Sequence, residues 1–185
     1  MKNFIGIYDN VLDNNMCSSI ISYFETSSNK ELGTYGKTDI VDATKKDSVD
    51  LVCDLNNEIE EINFLYGGLG FGTERYVEEY PEVSNISSWN LYPLFNIQRY
   101  YPNQGYHVPH CESEGLLSNH RVLAWMYYLN TITDGGHTRF VSYDCDVQAV
   151  AGRLVIWPAH FTHIHHGVVS PTQTKYIATG WYVYS

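Results

Sequence analysis

Basic residues are scarce in this chain. Eleven lysines and arginines stand against 21 aspartates and glutamates, a formal net charge of −10 over 185 residues. The densest basic spot is Lys45-Lys46. An acidic protein repels phosphate backbones and anionic membranes unless it carries a local basic patch, so neither nucleic-acid binding nor membrane binding is expected. Long apolar runs are also missing. No stretch is long enough to cross a bilayer as a helix, and no apolar segment follows Met1-Lys2-Asn3-Phe4, so no signal peptide is expected. Cysteine is sparse and dispersed: Cys17, Cys53, Cys111 and Cys145 form no C-x-x-C pair. Such thiols read as free cysteines of a reducing compartment, the cytoplasm, rather than a disulfide framework. Internal repeats, low-complexity tracts and linkers are absent, which favours a single domain over residues 1–185. The apolar share is 44%, with 16 tyrosines, too high for a disordered chain.

Periodicity divides the chain into two halves. Residues 4–8 read as a short strand. Asp13, Asn14 or Asn15 can cap a helix that presents Cys17, Ile20, Ile21 and Phe24 at helical spacing. Residues 26–50 are polar and mixed, a loop with short strands. A second helix is expected over 51–65, with Leu55, Ile59, Ile62 and Leu65 on one face and Gly67-Gly68 as its stop, and a short third one over 75–80 before Pro81. Beyond Pro81, strand-like runs at 89–101, 121–130, 148–157, 163–169 and 175–184 alternate with turn signals such as Asp134-Gly135-Gly136 and Ser170-Pro171. The expectation is a mostly β (α+β) sandwich or barrel. Residues 1–85 would be mainly helical support on one outer face, and residues 86–185 the barrel core.

The chemistry concentrates in two places. His110 and Glu112 lie two residues apart, so on an extended strand they share a face and can reach one metal ion. His107, three residues before His110, falls on the other face. The later stretch His160-Phe161-Thr162-His163-Ile164-His165-His166 offers four candidates for a third ligand. Two histidines and one carboxylate make the facial triad of non-haem Fe(II) sites. Lys175, the only lysine after residue 46, sits in an otherwise apolar strand, where a buried cation needs an anion. Alternation puts Lys175, Ile177, Thr179 and Trp181 on one face.

Several segments occur in a telling order: Gln98-Arg99-Tyr100-Tyr101-Pro102, His110-Cys111-Glu112, Tyr127-Tyr128-Leu129-Asn130, Gly135-Gly136-His137-Thr138, Gly152-Arg153-Leu154-Val155-Ile156-Trp157-Pro158, His165-His166-Gly167, and Lys175-Tyr176 with Trp181. In that order, over residues 89–184, they resemble the prolyl-4-hydroxylase-like branch of the 2-oxoglutarate and Fe(II)-dependent dioxygenases, its small phage and bacterial members in particular. The resemblance implies a double-stranded β-helix (jelly-roll) barrel. It implies Fe(II) on His110, Glu112 and His165, with Glu112 where the family usually has Asp. His165 is favoured as the distal ligand because it opens an H-x-G ten residues before Lys175, and His163 is the runner-up. The cosubstrate 2-oxoglutarate would pair with Lys175 and Tyr128, beside Tyr100 (or Tyr101) and a pocket wall of Trp181, with O2 as the oxidant. His137, in place of the family's Glu, falls at a turn and is expected to matter little. The implied reaction is hydroxylation of a prolyl residue, peptidyl or free, or a similar aliphatic substrate, with release of succinate and CO2. The substrate would be a small molecule or peptide, read by loops 35–46 and 113–119. The alternative is a cupin-like metal-binding barrel without 2-oxoglutarate chemistry.

Overall fold

The computed structural model describes residues 2–35 and 40–185. Two antiparallel sheets face each other. The major one has eight strands in the order β1-β9-β6-β11-β5-β3-β2, with β4 paired to β11. Its strands are β1 (Gly6–Tyr8), β2 (Glu31–Leu32), β3 (Val49–Asp54), β4 (Trp89–Leu91), β5 (Leu94–Tyr100), β6 (Arg121–Tyr128), β9 (Leu154–Pro158) and β11 (Lys175–Tyr184). The minor sheet runs β10-β7-β8, from β7 (Thr138–Phe140), β8 (Cys145–Val147) and β10 (His165–Gly167). This is the jelly-roll that the resemblance implied, and it meets the coarser expectation of a sandwich or barrel from the strand pattern.

Alternation along the strands builds two cores. On β6, Trp125 and Tyr127 face outward into one apolar cluster, while Ala124, Met126 and Tyr128 face inward into the other. On β9, Leu154 and Ile156 face out, Val155 and Trp157 in. Helices α1 (Asn14–Thr26) and α2 (Glu60–Glu79) cover the outer cluster with Ile20, Phe24, Ile62, Leu65, Leu69 and Tyr76. Asp13 caps α1, its Oδ1 accepting from the main-chain N–H groups of Asn15 (2.8 Å) and Met16 (2.9 Å).

Three expectations for the first half need correction. Residues 51–54 belong to strand β3, not to a helix: Leu51 and Cys53 are buried and Val52 is exposed, a period of two. The spacing of Leu51 and Leu55 imitates a helical turn, but a helix there would take Leu51 and Cys53 out of the sheet. Next, α2 does not stop at Gly67-Gly68. Its buried face runs on through Leu69, Gly72 and Tyr76, so the expected short third helix is the end of α2. Two of its glycines, Gly68 and Gly72, serve contact rather than termination. A Cβ on Gly68 would meet Tyr127 Oη at 2.5 Å, and one on Gly72 would meet Leu154 Cδ2 at 2.2 Å. Finally, residues 1–85 are more than helical support, since β1, β2 and β3 from that half complete both edges of the major sheet.

Candidate metal and cosubstrate site

The inner face of the major sheet forms the floor of a cavity of about 610 Å³. Residues from β5 and β11 line it rung by rung. Tyr100 pairs with Lys175, Gln98 with Ile177, and Asn96 with Thr179.

At one end of the cavity stand His110, Glu112 and His165, whose ligating atoms lie within 4.8 Å of one another. His110 and His165 form a main-chain bridge, each N–H donating to the other's carbonyl at 2.9 Å, which joins the 110–112 segment to β10. Both rings are fixed in the same way. His110 Nδ1 lies 2.9 Å from the Val108 carbonyl and His165 Nδ1 lies 2.9 Å from the His163 carbonyl. With Nδ1–H donating there, each Nε2 carries the lone pair, and both point at Glu112 Oε1, at 3.7 and 3.4 Å. These separations approach the roughly 3 Å edge of an octahedron with bonds of about 2.1 Å. Burial lowers the His165 pKa and keeps its imidazole neutral, the form that binds metal. Two neutral nitrogens and one anionic oxygen, held on one side, suit Fe(II) with positions left open.

Glu112 is held from outside as well. Its Oε2 accepts from Trp181 Nε1 at 2.8 Å, and its carbonyl accepts from Arg121 Nη1 at 3.0 Å. The Arg121 guanidinium lies 3.6 Å from the centre of the Trp181 ring. Tyr106 stacks on His110, with ring centres 3.8 Å apart and planes 13° apart.

Lys175 stands deeper, 6% exposed. Its Nζ donates to the Gly136 carbonyl at 3.1 Å and lies 5.0 Å from the centre of the Tyr100 ring. The Gly135-Gly136 turn, with φ values of +117° and +68°, is what brings that carbonyl within reach. Burial pulls the Lys175 pKa down to about 8, and no carboxylate among the described residues pairs with it. Tyr100 lines the cavity, whereas Tyr101 is exposed.

Other candidates lie apart from the metal ligands. Tyr128 faces inward but sits beneath the cavity wall, its hydroxyl 2.6 Å from Thr138 Oγ1 and 3.0 Å from the Val147 carbonyl; only Thr138 of these reaches the cavity. His163 lies in a 3₁₀ turn, its Nε2 2.8 Å from the Asn3 carbonyl and its Nδ1 2.9 Å from Thr162 Oγ1. His107 does not line the cavity. Of the loop 35–46, residues 36–39 lie outside the described residues.

Sequence reasoning did not anticipate the Trp181–Glu112 bond, the Arg121 stack, or a wall of polar side chains built from Lys46, Asp50 and Gln98. A signal for the wall exists. Asn96, Gln98 and Tyr100 are polar at the inward positions of a core strand, where apolar residues are the rule.

Residues 95–183 match the family model of the 2OG-Fe(II) oxygenase superfamily. This segment, which carries His110, Glu112, His165 and Lys175, belongs to the superfamily. The chain is an Fe(II)- and 2-oxoglutarate-dependent dioxygenase, and the cupin-like alternative is not favoured. No curated protein matches it in sequence. Solved structures share its fold. The viral collagen prolyl hydroxylase vCPH from Paramecium bursaria Chlorella virus-1, in complex with 2OG, is 16% identical, with 98% of this chain and 97% of that one covered and a TM-score of 0.69. A prolyl-4-hydroxylase from Pseudomonas putida is 17% identical, over 100% and 94% of the two chains, with a TM-score of 0.73. A prolyl hydroxylase from Trichoplax adhaerens, in complex with a hypoxia-inducible-factor peptide fragment, is 15% identical, over 98% and 84%, with a TM-score of 0.80. No helix among the described residues is long and apolar enough to cross a membrane.

Proposed function

We propose that this oxygenase is a hydroxylase of a prolyl residue, peptidyl or free, and that His110, Glu112 and His165 hold its Fe(II) while Lys175 receives the far carboxylate of 2-oxoglutarate. The observation that carries the assignment is the pairing of two features in one cavity: a convergent donor set, and a buried ammonium that meets only a neutral carbonyl. Bound together, the metal and cosubstrate supply an oxidation in which 2-oxoglutarate becomes succinate and CO2 while O2 delivers a hydroxyl to a substrate C–H.

The side chains have separate tasks. Val108 and His163 orient the two imidazoles through their carbonyls. Trp181 holds the second oxygen of Glu112, leaving Oε1 for the metal. Lys175 sets the cosubstrate's depth by ion pairing in a site screened from water, where such a bond is strong. Tyr100 walls that site, and Tyr128 supports it through Thr138. The prolyl choice is supported by the sequence resemblance and by the fold shared with three prolyl hydroxylases. The acidic charge argues against a nucleic-acid substrate, and four free cysteines suit a cytoplasmic protein. We read residues 1–185 as one domain, because strands from both halves share the major sheet.

Anaerobic titration with Fe(II) tests the assignment. A visible charge-transfer band is expected only when 2-oxoglutarate is also present. A folded protein that gives no band sinks the reading.

A further inference from the structure

We propose that Lys46 is the residue that receives the prime substrate's carboxylate, supplied either by a free amino acid or by the C-terminus of a peptide. The inference rests on the metal and cosubstrate assignments above, which leave Lys46 without a task.

Lys46 is placed by the metal site itself. Its main chain bridges to Tyr106, the His107 N–H donates to the Lys45 carbonyl at 2.8 Å, and the Asp47 N–H donates to the Gly105 carbonyl at 2.9 Å. Tyr106 in turn stacks on His110. The Lys46 ammonium, 5.9 Å from the centre of the Tyr106 ring, therefore stands one aromatic ring from a metal ligand, on the wall of the same cavity.

Its partner is Asp50, at 2.6 Å, with the two side chains 7% and 12% exposed. The hydrogen bonding of this pair is lopsided. Asp50 Oδ2 also accepts from Gln98 Nε2 at 2.9 Å, and Oδ1 accepts from Ser48 Oγ at 2.7 Å, so the carboxylate is nearly saturated. An ammonium has three hydrogens to give. Among the described residues Asp50 is the only acceptor that Lys46 has. The anion is spent on the wall, and the cation has donors left for the cavity.

Stability does not account for the pair. Burying two charges costs desolvation that an apolar pair of similar size avoids. Nor is Lys46 needed for 2-oxoglutarate. Lys175 meets the Tyr100 ring, whose hydroxyl donates to Gln98 Oε1 at 2.8 Å, and Gln98 in turn donates to Asp50, so a hydrogen-bonded chain of three side chains runs from the Lys175 contact to the Lys46 contact. Among the described residues the remaining cation of the cavity, Arg121, is engaged with Trp181 and Glu112. Glu31 also lines the cavity. Its charge disfavours an anion arriving alone and favours one that travels with an ammonium, as in an amino acid or a peptide.

The test uses the Fe(II)- and 2-oxoglutarate-loaded enzyme and four probes: L-proline, glycyl-L-proline and the C-terminal amide of each. Succinate release is the readout. The two carboxylates are expected to stimulate turnover at concentrations about 10- to 100-fold lower than their amides, the span of a charge-assisted hydrogen bond. Whichever carboxylate works at lower concentration identifies the source. Removing Lys46 alone would strand Asp50, so the informative variant is Lys46→Met with Asp50→Asn. It is expected to lose the discrimination while keeping the charge-transfer band with 2-oxoglutarate, and Lys46→Arg is expected to retain the discrimination. Amides as effective as acids, discrimination that survives in the double variant, or a band without stimulation by any probe overturns the proposal. A wild-type protein without the band overturns the metal assignment first, and this inference with it.

Discussion

Trp181 Nε1 donates to Glu112 Oε2 at 2.8 Å, so the residue that ends the inward face of β11 fixes the carboxylate of the metal site. Glu112 carries one methylene more than aspartate, and a longer arm loses more freedom when it must present one oxygen. An anchored second oxygen offsets that loss. Trp181→Phe keeps the ring and removes the donor. It is expected to weaken Fe(II) binding by about 10- to 100-fold, the usual effect of losing a bond that orients a ligand. The affinity for 2-oxoglutarate at saturating metal is expected to change little. Anaerobic Fe(II) titration measures the first and the charge-transfer band the second. Unchanged Fe(II) affinity would show that Glu112 needs no anchor.

The two competing histidines should separate cleanly. His165 aims Nε2 at Glu112, whereas both ring nitrogens of His163 are taken by the Asn3 carbonyl and Thr162. His165→Ala is expected to abolish Fe(II) binding in a protein that still folds. His163→Ala leaves the main-chain carbonyl that orients His165, so it is expected to cost about 1–3 kcal/mol of stability from lost buried hydrogen bonds while metal binding survives. Denaturant unfolding beside metal titration of both variants decides it. Loss of Fe(II) from His163→Ala alone would reverse the assignment.

How much of this could be read in advance depended on whether the signal was local. The span of β11 is legible in full, because residues 175–184 are rich in aromatic and β-branched side chains and a Ser-Pro turn precedes them. His110 and Glu112 are legible from their two-residue spacing, although they sit on a bridge and a bend rather than in a strand. The polar wall was not. Asp50 meets Gln98 only because β3 pairs with β5, a partnership that no local pattern announces. The Trp181–Glu112 bond spans 69 residues and depends equally on tertiary closure. In the first half, Gly67-Gly68 imitates a helix stop, and only the neighbouring sheet reveals that Gly68 and Gly72 permit close approach while Gly67 does not need to.

That last point can be measured. Nothing lies within 4 Å of a Cβ built on Gly67 or Gly70, so alanine there gains helix propensity without a clash. Gly67→Ala and Gly70→Ala are each expected to stabilise the protein by up to about 1 kcal/mol. Gly72→Ala puts a methyl group against Leu154 Cδ2 and is expected to destabilise by about 1–3 kcal/mol, as overpacking does. Unfolding midpoints of the three variants give the comparison. Equal effects at all three positions would mean that α2 does not pack on β9 as described.

Lys175 supplies the sharpest contrast between function and stability. Burial lowers its folded pKa to about 8 from the ordinary lysine value of 10.5. A lysine whose pKa falls on folding opposes folding, because the unfolded chain holds the proton more tightly. The penalty is complete below about pH 8, shrinks as pH rises between the two values, and is gone above about 10.5. At roughly 1.4 kcal/mol per pKa unit it amounts to about 3 kcal/mol. Lys175→Met fills the same space without charge. In the absence of metal and cosubstrate, the variant is expected to be more stable than wild type by up to that amount at pH 7, and the advantage is expected to fade as pH approaches 10. The same variant is expected to lose the charge-transfer band at 2-oxoglutarate concentrations that saturate wild type, while Fe(II) binding persists. A lysine kept for the fold gives the opposite pair of results, with stability falling and cosubstrate binding intact. Denaturant melts across this pH range, set beside the spectral titration, therefore distinguish a cosubstrate anchor from a structural cation.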